Sequence, residues 1–160
     1  MEAAQFRAFT RADRDWLVAQ HQAHYAANDG FDSSFGVLVG DILDAFLTDH
    51  DATCEHGWIA HDGPLRLGSI FCVRLDDQTA KLRLFFLHPD ARGFGLGKRL
   101  LAECMTFARA SGYTGMQLWT HESHTAACAL YKKAGWVLDS AKPVTSFGQE
   151  LVEQQWSYRF

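Results

Sequence analysis

The stretch FLHPDARGFGLGKRLL, residues 86–101, joins an apolar segment to a helical pattern through three glycines. Gly93, Gly95 and Gly97 stand at every second position, with a basic residue on either side of them. Glycines let a ligand come close to the backbone, and the first N–H groups of a helix have no partner within it. Because the helix dipole also favours negative charge there, the pattern indicates a phosphate-binding turn rather than a tight turn alone.

The spacing of these glycines excludes two common nucleotide sites. A Walker loop needs GxxxxGK followed by Ser or Thr, but Arg99 follows Gly97-Lys98 and Arg92 stands where the first glycine belongs. A dinucleotide fingerprint GxGxxG that begins at Gly93 would end on Lys98. The turn therefore predicts a phosphate-bearing ligand of another class.

The chain before the glycine turn predicts one strand, two helices and three further strands. QFRAFT alternates as a strand, and DRDWLVAQHQAHYAAN reads as a helix. SSFGVLVGDILDAFLTDHD reads as a second helix, with Ser33 or Ser34 as its N-cap. Turns at Asp62-Gly63 and Asp76-Asp77 separate three strands, which predict an antiparallel meander. The apolar residues at helical spacing in the second helix are Phe35, Leu38, Val39, Ile42 and Phe46.

After the turn, LGKRLLAECMTFARASG predicts a helix that stops at Gly112, followed by the strand YTGMQLWT. Its apolar face consists of Gly97, Leu100, Leu101, Cys104 and Ala108. A strand, a helix and a strand in this order predict a parallel, right-handed crossover. A short helix, HTAACALYKKAG, and two strands complete the order β-α-α-β-β-β-α-β-α-β-β, an α+β fold with a mixed sheet.

Length and composition predict one domain over residues 1–160, since the chain shows no repeat, low-complexity tract or linker. The net charge of −4 argues against nucleic acid or an acidic membrane as the partner. The start of the chain does not read as a signal peptide, and no apolar run is long enough to span a membrane. The four cysteines form no CxxC and predict buried free thiols, as in a reducing cytoplasm. No HExxH or close Cys/His cluster occurs, so we expect no metal site.

Two motifs resemble the GNAT N-acetyltransferase family. Arg-x-x-Gly-x-Gly, here Arg92, Gly95 and Gly97 after FFLHPDARG, resembles the family's motif A. HTAACALYKKAGW resembles its later motif, with Tyr131 and Gly135 in register. The element order also agrees along nearly all of residues 5–160. Within the family, the chain is most similar to the acetyltransferase half of bacterial proteins that fuse a MarR-type regulator to a GNAT domain.

This resemblance implies the GNAT fold and acetyl-CoA as the cofactor. In proteins of this kind the pyrophosphate lies on the amides of the glycine loop. A bulge splays the third meander strand from the next parallel strand, and pantetheine pairs with the exposed main chain. The implied cofactor contacts are Phe86, Leu87, His88, Arg92, Gly93, Phe94, Gly95, Leu96, Gly97, Lys98, His124, Ala127 and Tyr131.

The resemblance also implies direct transfer, in which a neutral amine attacks the thioester and a backbone N–H stabilises the oxyanion. Tyr131 is the expected acid for the leaving thiolate, because a phenol with a pKa near its ordinary ~10 is suited to that donation. Two positions depart from the family. His124 replaces the usual Asn, and Lys81 stands where many relatives carry a glutamate base.

The base is therefore open. His121, which ends the strand LWTH, is our candidate because a histidine titrates near neutral pH, although it could instead cap the next helix. His24, Tyr25 and Glu122 are weaker candidates, and the amine could also lose its proton to water.

Lys81 and Arg83 alternate with leucines, so both lie on one face of the sheet. They could form a solvated face or an anchor for a carboxylate on the acceptor. The first two helices and AANDGFDSSF would form the acceptor wall, as in relatives. The substrate-binding residues that we expect are Tyr25, Phe31, Lys81, Arg83 and Trp119.

The resulting prediction is an acetyl-CoA-dependent N-acetyltransferase that acts on a small amine. In one version of this prediction the amine also carries a carboxylate. The alternatives are an acetyltransferase for protein lysines or N-termini, and an acyl-CoA-binding regulatory module without chemistry. A homodimer through the last strands is compatible with the aromatic end WSYRF.

Overall fold

The computed structural model describes residues 4–160, in which seven strands and four helices follow the predicted order. The elements are β1 Gln5–Ala8, α1 Arg14–Asp29, α2 Ser34–Asp49, β2 His56–Asp62, β3 Leu65–Arg74, β4 Thr79–Leu87, α3 Leu96–Ala110, β5 Gly115–His121, α4 Thr125–Lys133, β6 Val137–Ser146 and β7 Gln149–Arg159. The strands form one sheet in the order β1-β2-β3-β4-β5-β7-β6, which confirms the predicted fold class.

The chain divides into two compact units. Among the described residues, unit 1 comprises 4–9, 51–118 and 157–160. Unit 2 comprises Thr10–His50 and Trp119–Trp156. Unit 1 therefore holds the meander, α3 and the end of β7, and unit 2 holds α1, α2, α4, β6 and β7 as far as Trp156.

In unit 1 the meander is antiparallel from β1 to β4, as predicted. The turn between β2 and β3 occupies Gly63 and Pro64, one residue later than the Asp62-Gly63 prediction, because β2 pairs through Asp62. β5 then joins β4 in parallel, with Thr79 opposite Gly115 and Lys81 opposite Gln117. The crossover prediction is therefore confirmed.

A bulge interrupts β4. Ser69 pairs with Phe86 and Phe71 pairs with Arg83, so β4 carries one more residue than β3 between these pairs. Within the bulge Leu84 has a φ of 50°, and its carbonyl accepts a 2.7 Å hydrogen bond from Ser69 Oγ. The bulge bends the strand. The pairing of β4 with β5 extends over Thr79–Lys81, so the bulge lies beyond the paired part of β4.

The predicted apolar face of α3 is confirmed. Leu100, Leu101, Cys104 and Ala108 are buried, whereas the charged side chains of this helix are exposed. The Cys104 thiol lies 3.8 Å from the Phe71 carbonyl oxygen of β3. Burial of each such leucine contributes about 2 kcal/mol, and this packing fixes the start of α3 relative to β3 and β4.

In unit 2 the buried face of α2 differs from the predicted one. It contains Gly36, Val39, Gly40, Leu43 and Phe46, and Leu38 is 42% exposed. Two glycines lie on this face beside α1. A Cβ on Gly36 would lie 2.7 Å from Gln22 Oε1, the atom that accepts the Gly36 N–H.

The predicted N-cap position of α2 is confirmed, but the capping bond comes from another residue. Ser33 occupies the N-cap position, but its side chain makes no capping bond. Asp32 instead accepts the Ser34 N–H through Oδ1 at 3.0 Å, because its carboxylate reaches the first turn from one residue further back.

The β6–β7 hairpin turns through two residues, Phe147 and Gly148, with φ values of 54° and 77°. A positive φ is unfavourable for phenylalanine, so contacts must hold this turn. The Phe147 carbonyl accepts the Asp32 N–H at 2.9 Å, and its ring lies 4.8 Å from that of Phe31. β6 is the last strand of the sheet and is exposed along most of its length.

All four cysteines are free, as predicted. Cys72 and Cys104 are buried, but Cys54 and Cys128 are only half-buried. Among the described residues, none of the helices combines the length and the apolarity needed to span a membrane.

Candidate functional site

The glycine loop lies between the end of β4 and α3 in unit 1. His88 begins it: its N–H donates to the Leu67 carbonyl at 2.7 Å, and its own carbonyl accepts the Ala91 N–H at 2.9 Å. Gly93 and Gly95 then have φ values of 85° and 76°. Both glycines thus occupy the left-handed region that side chains rarely adopt, and Gly95 is the N-cap of α3.

The loop offers main-chain donors to a ligand. A Cβ on Gly93 or Gly95 would meet nothing within 4 Å, so the space beside both glycines is open. The first ladder bond of α3 runs from the Arg99 N–H to the Gly95 carbonyl at 3.2 Å. The N–H groups of residues 96–98 therefore precede the ladder. Leu96 and Gly97 are buried, and Gly97 has no side chain. Both residues could therefore contact a ligand only through their main-chain groups.

The basic residues of the loop have different roles. Lys98 is exposed at the first turn of α3. Arg92 is exposed and donates from Nε to the Leu87 carbonyl at 3.3 Å. Arg99 donates to the Ala4 carbonyl at 3.1 Å and lies 5.0 Å from the Phe6 ring, so it attaches the start of the chain to α3. Lys98 and Arg92 remain the cations that a phosphate could use.

Phe86 and Leu87, predicted to face pantetheine, form the end of β4. They pair with Ser69 and Gly68 of β3 and lie beyond the part of β4 that pairs with β5. This is the position at which we expect the main chain to pair with the pantetheine arm of the cofactor. His88 differs, because its N–H and carbonyl both take part in the loop bonds described above. Phe94 is 63% exposed at the tip of the loop.

Unit 2 contains a group of rings that we call the aromatic cluster. Phe31 lies near its centre, with ring centroids 5.5 Å from Tyr25, 5.1 Å from Phe35 and 5.7 Å from His121. The members of the cluster are Tyr25, Phe31, Phe35, His121, His124 and Phe147. The predicted acceptor-wall residues Tyr25 and Phe31 are therefore brought together with both candidate histidines.

His121 ends β5, and its ring is half-buried. Its Nδ1 is buried and has no hydrogen-bond partner within residues 4–160. Burial lowers the pKa of His121, and the neighbouring His124 lowers it further, while Glu153 and Asp29 oppose the shift. The ring is therefore neutral at pH 7 and has a lone pair available. The alternative that His121 caps α4 is wrong, because His124 occupies the N-cap position.

His124 has a neighbour at each ring nitrogen. Nδ1 lies 3.2 Å from Thr120 Oγ1, and Nε2 lies 3.3 Å from Asp29 Oδ2. The second contact falls short of an aligned hydrogen bond, and it becomes an ion pair only when His124 is protonated. Burial lowers the pKa of His124, and Asp29 partly opposes this. Contact of His124 with pantetheine stays a prediction.

Asp29 and Thr120 were missed from the sequence. Asp29 is the last residue of α1 and precedes Gly30, so it read as part of the turn NDG. Thr120 lay in an ordinary strand pattern. The only available signal was that His124 stands where the family usually has Asn. An imidazole needs different hydrogen-bond partners from an amide.

Tyr131 lies on α4 in unit 2 and is 3% exposed. Its ring is 5.8 Å from Trp136 and 6.1 Å from Trp156. The Trp136 N–H donates to the Tyr131 carbonyl at 2.9 Å, which closes the helix at Gly135. Ala127 is half-buried one turn earlier.

Lys81 and Arg83 occupy alternate positions on β4, opposite Val73 and Phe71. The Arg83 guanidinium has no hydrogen-bond or ion-pair partner within the described residues. Burial alone lowers its pKa. In unit 2, Trp119 of β5 is 39% exposed. Glu122 is exposed, and His24 is half-buried on α1.

The model of the acetyltransferase (GNAT) family matches residues 6–136. The chain belongs to this family. The GNAT match includes the glycine loop and the whole of α4 with Tyr131.

Relatives of this GNAT chain include the human protein N-acetyltransferase 8B, which is 32% identical over 83 residues. These residues make up 49% of this chain and 37% of that protein. The chain spans 37% to 50% of the length of the curated relatives that it matches.

Two solved structures show the GNAT fold over nearly the whole chain. An acetyltransferase from Salmonella typhimurium, solved with its cofactor acetyl-CoA, is 18% identical with a TM-score of 0.73, over 98% of this chain and 94% of that one. Spermidine N-acetyltransferase from Vibrio cholerae, solved with CoA and spermine, is 14% identical with a TM-score of 0.73, over 99% and 96%. At these identities the likeness concerns the fold.

Proposed function

We propose that this GNAT chain transfers the acetyl group of acetyl-CoA directly to the amine of a small molecule. The open glycine loop at the start of α3 carries the proposal. Gly93 and Gly95 hold it in a conformation that exposes N–H groups, and no side chain fills the space beside them. A pyrophosphate is the ligand that such a helix start with nearby cations favours.

Residues of unit 1 would hold the cofactor. The main-chain N–H groups of 96–98 would donate to the pyrophosphate, and Arg92 and Lys98 would add positive charge. The end of β4, Phe86–Leu87, would pair with the pantetheine arm. Acetyl-CoA supplies the thioester when bound; the remaining steps belong to this chain's own side chains.

Residues of unit 2 would move the protons. His121, kept neutral by burial, would take the proton of an ammonium acceptor through its free lone pair. Tyr131 would donate its phenolic proton to the departing thiolate. Tyr25 and Phe31 would form the apolar wall against which the acceptor lies, and Trp119 would extend it.

The acceptor is proposed to carry a carboxylate. A half-buried guanidinium without a protein partner is unfavourable until an anion meets it. Arg83 is such a group, and a carboxylate can accept two hydrogen bonds from it. Lys81, on the same face of β4, would add charge. The Vibrio cholerae structure, named for a polyamine substrate, supports a small amine but not the carboxylate.

The first experiment measures free-CoA release from acetyl-CoA with amino acids of both hands, polyamines, aminoglycosides and basic peptides. We expect turnover with small amines and a loss of about 100-fold or more in Tyr131→Phe. Turnover with peptides alone would favour a protein acetyltransferase. Tight binding of acetyl-CoA without turnover would favour a regulatory module.

The anchor is tested separately with Arg83→Gln. We expect KM for a carboxylate-bearing amine to rise about tenfold or more, with little change for its neutral amide. An equal rise for both acceptors would remove the carboxylate from the proposal. Arg66→Gln, at a half-buried arginine on β3, is the matched control.

Four broader predictions go with this function. We propose that the chain acts as one domain over 1–160, in the cytoplasm, and that it resembles the acetyltransferase half of MarR–GNAT fusions. A homodimer through the last strands is the fourth.

A further inference from the structure

In unit 2, Thr120 and Asp29 flank the His124 ring, one at each nitrogen. Thr120 Oγ1 lies 3.2 Å from Nδ1, and Asp29 Oδ2 lies 3.3 Å from Nε2 on the other side of the ring. The side chains of His124 and Asp29 are 18% and 11% exposed. A carboxylate, an imidazole and a hydroxyl in this order can pass a proton inward and stabilise the resulting charge.

We propose that Thr120, His124 and Asp29 form a proton relay that serves the acceptor amine, an inference that rests on the proposed acetyl transfer. Thr120 is the member that touches the amine. His124 is the base behind it, and Asp29 is a positioning residue that acts through His124.

The arrangement selects one tautomer of His124. The carboxylate favours a proton on Nε2, so Nδ1 is left as an acceptor for the Thr120 hydroxyl. The oxygen lone pairs of Thr120 then face away from the histidine and can accept a proton. The Tyr25 ring, 4.9 Å from that of His124, supports the imidazole from α1.

The proton balance gives the relay a distinct role. An ammonium acceptor loses two protons on becoming an amide, and one proton is returned to the thiolate. His121 takes the first proton before attack. After the C–N bond forms, the amine nitrogen gives its second proton to Thr120 Oγ1 while the hydroxyl proton passes to His124 Nδ1. Tyr131 protonates the leaving sulfur as the C–S bond breaks. Solvent then returns a proton to Tyr131 and removes one from each of His121 and His124, so one proton is released per turnover.

Two elements bring titratable groups up to His124. Asp29 faces it from α1, and His121 faces it from β5, with ring centroids 5.4 Å apart. Glu153 of β7 acts on His121. Burial keeps His124 neutral in the resting state, and Asp29 raises its pKa, so the imidazolium formed during transfer is stabilised by that carboxylate. Replacement of Asp29 should therefore weaken the base.

The experiment compares Asp29→Asn, Thr120→Val and Thr120→Ser on two acceptors. One is an aliphatic amine, and the other is the matching hydrazide, whose nitrogen is neutral throughout the assay range. We expect Thr120→Val to lower kcat about 100-fold on both, and Thr120→Ser to retain most of the activity. His121→Asn should lower kcat on the amine but have little effect on the hydrazide.

Asp29→Asn is followed by its pH profile and by NMR titration of His124. We expect kcat to fall about tenfold, the acid limb of kcat to move to lower pH, and the His124 pKa to fall with it. Asp49→Asn, at the exposed end of α2, should change none of these. A merely structural role for Asp29 would lower kcat without moving the limb or the titration.

Two results separate the relay from the proposed function. Turnover by the native protein with unchanged kcat and acid limb in Asp29→Asn and Thr120→Val overturns the relay alone. Absence of turnover with every acceptor overturns the proposed function, and the relay with it.

Discussion

The Ser69 hydroxyl donates a 2.7 Å hydrogen bond to the Leu84 carbonyl, at the residue where β4 takes a φ of 50°. Ser69 is fully buried, and its hydroxyl reaches the half-buried Leu84 carbonyl. The bond therefore holds the bulge that ends the regular part of β4. A single hydroxyl on β3 thus determines the shape of the strand proposed to receive the pantetheine arm.

Ser69→Ala tests this relationship. We expect a loss of about 1–3 kcal/mol in the free energy of unfolding, because the half-buried Leu84 carbonyl loses its donor. Urea unfolding measures the loss, and calorimetry should show weaker acetyl-CoA binding. Ser33→Ala, at a serine without a capping bond, should change neither quantity.

Substitution of the loop glycines has two effects that can be measured separately, one on backbone strain and one on ligand binding. Gly93, Gly95 and Gly63 all have positive φ, and a Cβ on any of them would meet nothing within 4 Å. Each change to alanine should therefore reduce stability by a similar amount, roughly 1 kcal/mol. Only Gly93→Ala and Gly95→Ala should raise the Kd for acetyl-CoA, by about tenfold. A similar rise in Gly63→Ala, at the β2–β3 turn, would remove the special role of the loop.

The two basic residues at the start of α3 should have different roles. We expect Lys98 to bind the cofactor and Arg99 to stabilise the fold. Lys98→Gln should raise the Kd for acetyl-CoA several-fold, most strongly at low salt, and should leave stability unchanged. Arg99→Gln should lower stability by about 1–2 kcal/mol, because the bond to Ala4 and the contact with Phe6 are lost. Calorimetry and thermal unfolding of both variants measure these effects, and the reverse assignment would contradict the structure.

His21 predicts how stability depends on pH. It is fully buried on α1, and burial lowers its pKa to about 4 from the ordinary 6.5. The unfolded state therefore binds the proton first, so the stabilising contribution is complete above about pH 6.5 and is lost as pH falls toward 4. Urea unfolding across this range should show a loss of about 3 kcal/mol from this residue. The loss should be absent in His21→Leu and should persist in His50→Gln, at an exposed histidine.

Local patterns in the sequence were sufficient for the element order and for the buried face of α3. The glycine loop was also predicted, because positive φ and an open backbone depend on the glycines themselves. The two GNAT motifs located α4 and Tyr131. These features depend on neighbours in the chain, which a single sequence displays directly.

The features that were not predicted depend on residues far apart in the chain. The positive φ of Leu84 goes with a hydrogen bond from Ser69, which lies on another strand. Asp29 and His124 are 95 residues apart in the chain and come together only in the folded structure. The sequence around either residue does not indicate the other. The face of α2 was misjudged because the fit of Gly36 against Gln22 of α1 outweighs the apolar character of Leu38.

The exposed last strand has a consequence for association. β6 ends the sheet, and Lys142 and Pro143 lie within it. Proline offers no N–H to an incoming strand, and an edge lysine opposes the approach of another apolar edge. A second copy therefore cannot extend the sheet in register past Pro143. Association through this hairpin would then use side-chain surfaces, and the same two residues oppose open-ended edge-to-edge growth.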